Sequence, residues 1–206
     1  MKQLIHHNLY SGGAFGADTF FGLIALEYGI TSDRQWHYNI NNETTQDLQN
    51  KGIYSVFLNQ KDIDDCYHAI DKLFQKKHKR GHVNDLKARN YFQALDADGI
   101  FGIASLNKTF DGVQSGTNVA IQFGIHKQKP VYVYDYTIKK WYKYSDTNKQ
   151  FLLYDSIPLL TQHFAGIGVR KCQNYEGCRD YLGKDIENDI KQQIRCLFEN
   201  VMKFKN

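Results

Sequence analysis

Three glycine-containing turns stand where a short apolar segment meets a segment with helical spacing. They are Ser11–Ala14, Ser115–Thr117 and Gly166–Gly168. The first belongs to the stretch SGGAFGAD, and the second belongs to GVQSGTNVAIQFGI, which repeats the same arrangement further along the chain. Short apolar segments that alternate with amphipathic helices indicate a parallel sheet with helices on both faces. We therefore predict an α/β fold, a three-layer Rossmann-like parallel sheet.

The spacing of apolar residues gives the expected bounds of each element. The predicted strands are Leu4–Tyr10, Gln35–Ile40, Ile53–Leu58, Gly99–Ala104, Pro130–Tyr134 and His163–Ile167. The predicted helices are Asp18–Tyr28, Asp62–Lys77, Asn84–Leu95 with Asn84 as its cap, Thr117–His126 and Asn174–Phe204. Asn41–Asn50 is polar and is expected to form a loop or a short helix. Residues 136–153 resemble a β-hairpin appended to the sheet.

Size and composition suit a single globular domain, which we expect to span residues 1–206. Of the 206 residues, 42% are hydrophobic and 23% are charged. No segment approaches the roughly 18 consecutive apolar residues of a membrane span, and the first residues do not resemble a signal peptide. We expect a cytoplasmic protein, in the host cytoplasm if its source is viral, with no membrane partner. The net charge of +4 is too small to argue for nucleic acid.

A run of basic residues and the four cysteines give weaker indications of function. The basic run from Lys76 to His82 fits a solvated helix end facing the C-terminal dipole, or an anion-binding loop. The cysteines form no Cys-x-x-Cys pair, so we predict no metal site and treat all of them as structural. They are Cys66, Cys172, Cys178 and Cys196.

The glycine turns suit a bound anion. In a parallel sheet, ligands sit beyond the carboxyl ends of the strands, where loops lead into helices. A helix N-terminus presents unpaired N–H groups and a partial positive charge, and glycine lets the backbone approach a phosphate. The hydroxyls of Ser11, Ser115 and Thr117 add hydrogen-bond donors. Neither G-x-G-x-x-G nor G-x-x-x-x-G-K-[ST] occurs, which disfavours NAD dehydrogenases and P-loop nucleotide triphosphatases.

The segments SGGAFGAD, ADGIFGIA and GVQSGTNVAIQFGIHKQKPVYVYD together resemble the SLOG superfamily of Rossmann-like domains. That superfamily includes DNA-processing protein A-like single-strand binders and LOG-type phosphoribohydrolases. The chain is similar, more narrowly, to a phage-type branch with SGGA-x-GAD, GGT-x-x-A and KPVYV-x-D segments. Related proteins begin with a strand that ends in GIGSR, whereas here FAGIGVRK lies at Phe164–Lys171. The resemblance therefore implies a circular permutation.

The resemblance implies that specific residues bind a nucleotide-like ligand. Arg89 precedes the strand near Asp98, a position that resembles the catalytic arginine of LOG-type enzymes. Ser115 stands where the superfamily commonly has glycine. The candidate ligand-binding residues are Ser11, Gly12, Gly13, Ala14, Gly16, Asp18, Arg89, Ser115, Gly116, Thr117, Asn118, Gly166, Gly168 and Arg170.

One departure from the LOG-type pattern bears on activity. Those enzymes carry P-G-G-x-G-T-x-x-E, whose glutamate assists N-glycosidic cleavage. Ala120 stands at the matching position, and the polar residue nearby is Gln122, whose amide cannot act as a general acid or base. Asp18 or Asp135 could replace the glutamate, and Asp18 could instead face its helix dipole or accept from a sugar hydroxyl. Asp18 and Arg89 are the catalytic candidates.

We expect a protein that binds a nucleotide-derived small molecule, ADP-ribose-like or a cyclic nucleotide, as a sensor or a sequestering decoy in phage defence. Arg89 and Arg170 would neutralise phosphate, and aromatic residues of the hairpin would cover a base unless they pack the hairpin itself. Whether the protein is an enzyme stays open. The alternatives are a nucleoside monophosphate N-glycosidase and a single-stranded DNA binder, which would need more basic surface.

We expect no cofactor. The long C-terminal helix leaves a homodimer open, because its apolar face can pack on the sheet or on a second copy.

Overall fold

The computed structural model describes residues 4, 6–30, 35–39, 50, 53–170 and 182–204. Its strands are β1 (Asn8–Ser11), β2 (Gln35–Asn39), β3 (Tyr54–Phe57), β4 (Gly99–Ile103), β5 (Val131–Asp135), β6 (Lys140–Ser145), β7 (Gln150–Leu153) and β8 (His163–Gly168). Its helices are α1 (Ala17–Glu27), α2 (Gln60–Phe74), α3 (His82–Ala88), α4 (Asn90–Asp96), α5 (Asn118–His126) and α6 (Lys184–Phe204).

The strands form one sheet in the order β3-β2-β1-β8-β4-β5-β6-β7. The pairings from β3 through β5 are all parallel, and the hairpin β6–β7 joins β5 in antiparallel fashion. β8 is the last of these strands along the chain, yet it lies between β1 and β4 in the sheet. The predicted α/β class, the parallel sheet and the appended hairpin are therefore confirmed.

Two apolar cores lie on opposite faces of the sheet, which accounts for the three layers. In one core, α1 and α6 pack against Phe101 and Phe164 of the sheet. In the other, the four helices from α2 through α5 pack against Ile100 and Val133. The face of α6 that carries Ile190, Ile194, Leu197 and Phe198 is fully buried within this one chain. Of the two roles left open for that face, packing on its own sheet is the one observed.

The predicted helix Asn84–Leu95 is wrong as a single element, because α3 and α4 meet at Arg89. The N–H of Phe92 bonds to the carbonyl of Arg89 at 3.1 Å, three residues back, so the helical turn tightens and the regular α-helix is interrupted there. Asn84 is not the cap, since the N–H groups of Asn84 and Asp85 both bond to the carbonyl of Gly81 at 2.9 Å. This junction brings Arg89 to the carboxyl ends of the central strands.

Other boundaries move by a few residues for local reasons. α2 begins at Gln60 because Asn59 and Asp62 form a reciprocal capping box. It ends at Phe74 because Gln75 adopts a left-handed conformation, with φ of 51°. β1 begins at Asn8 rather than Leu4. The expected loop at 41–49, the first part of the helix Asn174–Phe204, and Cys172 and Cys178 fall outside the described residues.

Two described features complete the fold. Cys66 is fully buried in the core that α2, α3, α4 and α5 form, Cys196 on α6 is half-buried, and neither is in a disulfide with a described residue. Within the described ranges, the helices are each too short or too polar to traverse a bilayer.

Candidate ligand-binding site

A cavity of about 750 Å³ opens at the carboxyl ends of the central strands. The loops after β1, β4, β5 and β8, the turn before α5 and the junction between α3 and α4 all reach it. After β1 the chain continues to the strand on one side of the sheet, and after β4 it continues to the strand on the other side. Open α/β sheets bind ligands at the point where the direction of the strand order changes in this way. The lining residues are Ala14, Asp18, Leu86, Lys87, Arg89, Asn90, Ala104, Ser105, Gln114, Ser115, Gly116, Thr117, Tyr136, Ile167, Gly168, Val169, Arg170 and Leu182.

The loop after β1 is closed by Asp18, in the first turn of α1. One carboxylate oxygen of Asp18 accepts from the Gly12 N–H at 3.1 Å, and the other accepts from the Gly168 N–H at 3.0 Å. The Ser11 hydroxyl donates to the Asp18 carbonyl at 3.3 Å. Asp18 therefore ties the glycine loop to the end of β8, and both of its oxygens are occupied by backbone donors.

Arg89 lies beside Asp18, and both side chains are buried, at 3% and 6% exposure. A β-carbon added to Gly12 would lie 2.7 Å from an Asp18 oxygen and 2.8 Å from Arg89 Nη2, so only glycine fits between them. Burial raises the pKa of Asp18, and the Arg89 charge and the backbone N–H groups offset only part of that rise. Arg89 thus neutralises a buried carboxylate while its side chain lines the cavity.

The second glycine turn forms another wall of the cavity, directly before α5. Ser115 has φ of 82°, a left-handed conformation that favours glycine. The Asn90 amide donates to the Gly116 carbonyl at 3.1 Å, which fastens the turn to α4. Thr117 is buried at the start of the helix, and the N–H groups of Asn118 and Val119 bond to the carbonyls of Ser115 and Gly116 at 3.2 Å. The turn therefore directs the positive end of the α5 dipole to the cavity.

Among the described residues that line the cavity, three side chains are cationic and one is a carboxylate. Arg170 is exposed at the rim, and its backbone pairs with that of Gly16. Lys87 is half-buried, and its side-chain carbons approach Gly116, within 3.2 Å of the position of an added β-carbon. With Arg89, these groups give the cavity a net positive lining, which favours an anionic guest.

Comparison with known proteins adds little to this geometry. No model of a known protein family matches the sequence, and no curated protein matches it. The chain is similar to the crystal structure of a "Putative molybdenum carrier protein" from Syntrophus aciditrophicus. The similarity covers 95% of this chain and 94% of the chain of that protein. The identity is 13% and the TM-score is 0.47. The fold assignment therefore rests on the strand order and the helical layers described above.

Several candidate residues support the cavity without lining it. Gly13, with φ of 65°, donates to the Ser11 hydroxyl at 3.4 Å, and Gly16 has φ of 113° at the start of α1. Asn118 accepts from the Val113 N–H at 3.0 Å and so braces the second turn from behind. Gly166 lies against α1, where an added β-carbon would be 2.5 Å from the Phe21 ring. These residues shape the loops, and Gly166 allows close packing of helix on strand.

Of the two residues considered as replacements for the missing glutamate, Asp18 lines the cavity and Asp135 does not. Asp135 is buried and accepts from the Leu106 N–H at 2.8 Å and from the Thr137 N–H at 2.9 Å. Gln122 donates to the Asp111 carbonyl at 2.9 Å. Ala120 is fully buried in the core. Asp18 is thus the single carboxylate among the described lining residues.

The sequence prediction missed Lys87, Asn90, Ser105, Gln114 and Tyr136. Ser105 and Tyr136 directly follow the ends of β4 and β5, so a search of every position after a predicted strand would have found them. Lys87 and Asn90 had no such signal, because their placement depends on the break at Arg89. The hairpin aromatics pack instead within the sheet: Trp141 is 4% exposed, and Tyr144 packs against Phe151 at 5.3 Å between ring centroids. Tyr136 is the aromatic residue at the cavity.

Proposed function

We propose that this protein binds a nucleotide-derived anionic small molecule, ADP-ribose-like or a cyclic nucleotide, in the cavity and releases it unchanged. The observation that carries the proposal is the imbalance of charge in the lining. Lys87, Arg89 and Arg170 face one carboxylate, and that carboxylate is held by two backbone N–H groups. A phosphate group would complement the two exposed or half-exposed cations, and Arg side chains bind phosphate oxygens in bidentate fashion.

The size of the cavity agrees with this ligand class. Sites for small molecules typically enclose about 300–1,000 Å³, and this cavity of about 750 Å³ lies within that range. Its lining also offers Tyr136 and the apolar side chains Leu86, Ile167 and Leu182. We propose that a phosphate sits at the second glycine turn and that a base or sugar packs on the apolar part.

Binding without conversion is supported by the state of Asp18. A general base or acid must reach the reacting group through a free lone pair or proton. Both oxygens of Asp18 accept hydrogen bonds from the backbone, and the glutamate of the LOG-type pattern is replaced by Ala120. The N-glycosidase alternative therefore lacks the glutamate of that pattern, and the carboxylate that lines the cavity is engaged in holding the loop after β1 to β8.

We further propose that the chain is a circularly permuted member of the SLOG superfamily that senses or sequesters its ligand. In doubly wound sheets, the first strand of the usual order lies centrally, beside the point where the order reverses. β8, the strand that carries FAGIGV, has that central place between β1 and β4. This strand order supports the permutation, and a phage-type sequestering role follows from the resemblance alone.

A ligand screen followed by product analysis tests the proposal. Purified protein is scanned for thermal shift with ADP-ribose, cyclic AMP, AMP and adenosine, and bound ligand is then recovered for mass spectrometry. The expected result is a rise in Tm with at least one phosphate-bearing ligand, none with adenosine, and a recovered ligand of unchanged mass. Release of free adenine would establish the N-glycosidase instead. A failure of every phosphate-bearing ligand to bind would refute the proposed function.

A further inference from the structure

We propose that the exposed lysines Lys76, Lys77 and Lys79, here called the capture patch, draw anionic ligands to the mouth of the cavity. This inference rests on the proposed function and concerns how a ligand reaches the site. The segment from Gln75 to Gly81 connects α2 to α3, and the three lysines of the patch lie on its surface. None of them lines the cavity itself.

The segment is held in a fixed position by acidic residues of α2. The His78 backbone N–H and its Nδ1 lie 2.9 Å and 2.8 Å from the same oxygen of Asp71. The Arg80 guanidinium lies 2.6 Å from Asp64 and 4.2 Å from the centre of the Tyr67 ring. The anchors are thus His78 and Arg80, and the lysines on either side of His78 are exposed to solvent.

The charges of the patch are not cancelled by close ion pairs. Within the described ranges, Lys76 and Lys79 have no carboxylate within salt-bridge distance. Lys77 contributes, after His78, to the lowered pKa of Asp71. Because Asp64 and Asp71 are engaged by Arg80 and His78, the segment keeps an excess of positive charge.

Asn84 connects the patch to the cavity wall. Its amide nitrogen donates to the Lys79 carbonyl at 2.8 Å, and its amide oxygen accepts from Lys87 Nζ at 3.4 Å. Lys87 lines the cavity beside Gly116. Asn84 therefore links the main chain of the patch segment to a lysine that lines the cavity, which places the exposed lysine Lys79 a few contacting residues away from the cavity wall.

Charges placed in this way change the rate of association more than the rate of release. A basic strip beside a cleft raises the local concentration of an anion and can increase association rates by about 10- to 1,000-fold. The effect is screened over a Debye length of about 8 Å at physiological ionic strength. Charges at the rim of a site mainly alter the association rate and its salt dependence, because they make no contact in the bound state.

The test is stopped-flow binding of two fluorescent probes, 1,N6-etheno-ADP-ribose and 1,N6-etheno-cyclic AMP. The variant carries Lys76→Gln, Lys77→Gln and Lys79→Gln. A matched control carries Lys127→Gln, Lys149→Gln and Lys203→Gln, three exposed lysines after α5, in the β6–β7 turn and at the end of α6, all remote from the carboxyl edge of the sheet. We expect the association rate of the capture-patch variant to fall about tenfold at low salt, with an unchanged dissociation rate.

The outcomes separate the two proposals. At high salt the wild type, the variant and the control should converge, since screening removes the steering. Equal association rates for wild type and variant at low salt would overturn this inference and leave the proposed function in place. A wild-type protein that binds neither probe would overturn both. A single-stranded oligonucleotide that binds tightly and dissociates faster from the variant would assign the patch to nucleic acid and likewise overturn the steering role.

Discussion

The carboxylate of Asp18 accepts a hydrogen bond from the N–H of Gly168 at 3.0 Å, across 150 positions of chain. Its second oxygen accepts from the N–H of Gly12 at 3.1 Å. One side chain therefore joins the loop after β1 to the end of β8, and both segments border the cavity. With Arg89 packed against the same carboxylate, the shape of the site depends on a few buried polar contacts.

Replacing Gly12 with alanine should disrupt this arrangement. The new β-carbon would lie 2.7 Å from an Asp18 oxygen and 2.8 Å from Arg89 Nη2, so these two buried side chains would have to shift from their present contacts. We expect Gly12→Ala to lower the free energy of unfolding by about 1–3 kcal/mol, the usual cost of overpacking. Urea denaturation measures the change.

Gly183→Ala is the control, because no atom of the described residues lies within 4 Å of its added β-carbon. Its free energy of unfolding should stay within about 0.5 kcal/mol of the wild-type value. Equal effects of the two substitutions would show that the space around Gly12 is not restricted as described.

The titration of Asp18 should make the stability of the protein depend on pH in a defined direction. Because burial raises the pKa of Asp18, the folded state binds the proton more tightly than the unfolded state, whose pKa is about 3.9. The contribution of Asp18 to stability is therefore greatest at low pH and falls as the pH rises through the folded pKa. Asp18→Asn removes this titration and costs about 1–3 kcal/mol, because one backbone N–H loses its acceptor.

The measurement is the difference in free energy of unfolding between wild type and Asp18→Asn, taken from about pH 4 to about pH 7. Subtracting the variant cancels the other carboxylates, such as Asp71 and Asp111, whose lowered pKa values act in the opposite direction. The difference should shrink as the pH rises. A difference that grows with pH would mean that the charge of Arg89 outweighs burial at this site.

Arg170 should contribute to ligand affinity with little effect on folding. It is exposed at the cavity rim, so Arg170→Gln removes a charge-assisted contact to phosphate without opening the core. Such contacts are worth about 1.5–3 kcal/mol, so we expect affinity for a phosphate-bearing ligand to fall about 10-fold to 100-fold. Isothermal titration calorimetry measures the affinity, and the Tm of the free protein should not change.

Arg195→Gln is the control, because it removes one positive charge from a different surface. Arg195 there forms a salt bridge with Glu27 at 3.0 Å. This control should bind the ligand like the wild type. If both variants bind with wild-type affinity, Arg170 does not touch the ligand.

The thiol of Cys66 should resist alkylation in the folded protein. Its side chain is fully buried, and burial raises its pKa to about 12, so almost no thiolate exists near neutral pH. Iodoacetamide at pH 8, followed by peptide mass spectrometry, should leave Cys66 unmodified until urea unfolds the chain. The half-buried Cys196 should be labelled sooner. Rapid labelling of Cys66 in the native state would contradict the packing of α2 on the sheet.

The sequence located the glycine turns, whereas their binding of an anion stays a prediction. Gly12 needs the absence of a β-carbon, which is visible in the sequence, but Ser115 adopts a left-handed backbone that its residue type does not reveal. Gly166 has the same requirement as Gly12 for another reason, the close approach of Phe21. A glycine at a crowded position, such as Gly12 or Gly166, therefore does not by itself reveal which neighbour causes the crowding.

The sequence by itself determined the alternation of strands and helices, the hairpin at 136–153 and the turns rich in glycine, because these follow from the spacing of residues close together in the chain. Only the tertiary structure decided that β8 lies between β1 and β4, that the helix breaks at Arg89, and that Lys87 and Tyr136 join the cavity. Those features arise from contacts between distant segments, such as Asp18 with Gly168, whose energy depends on which apolar faces are buried together.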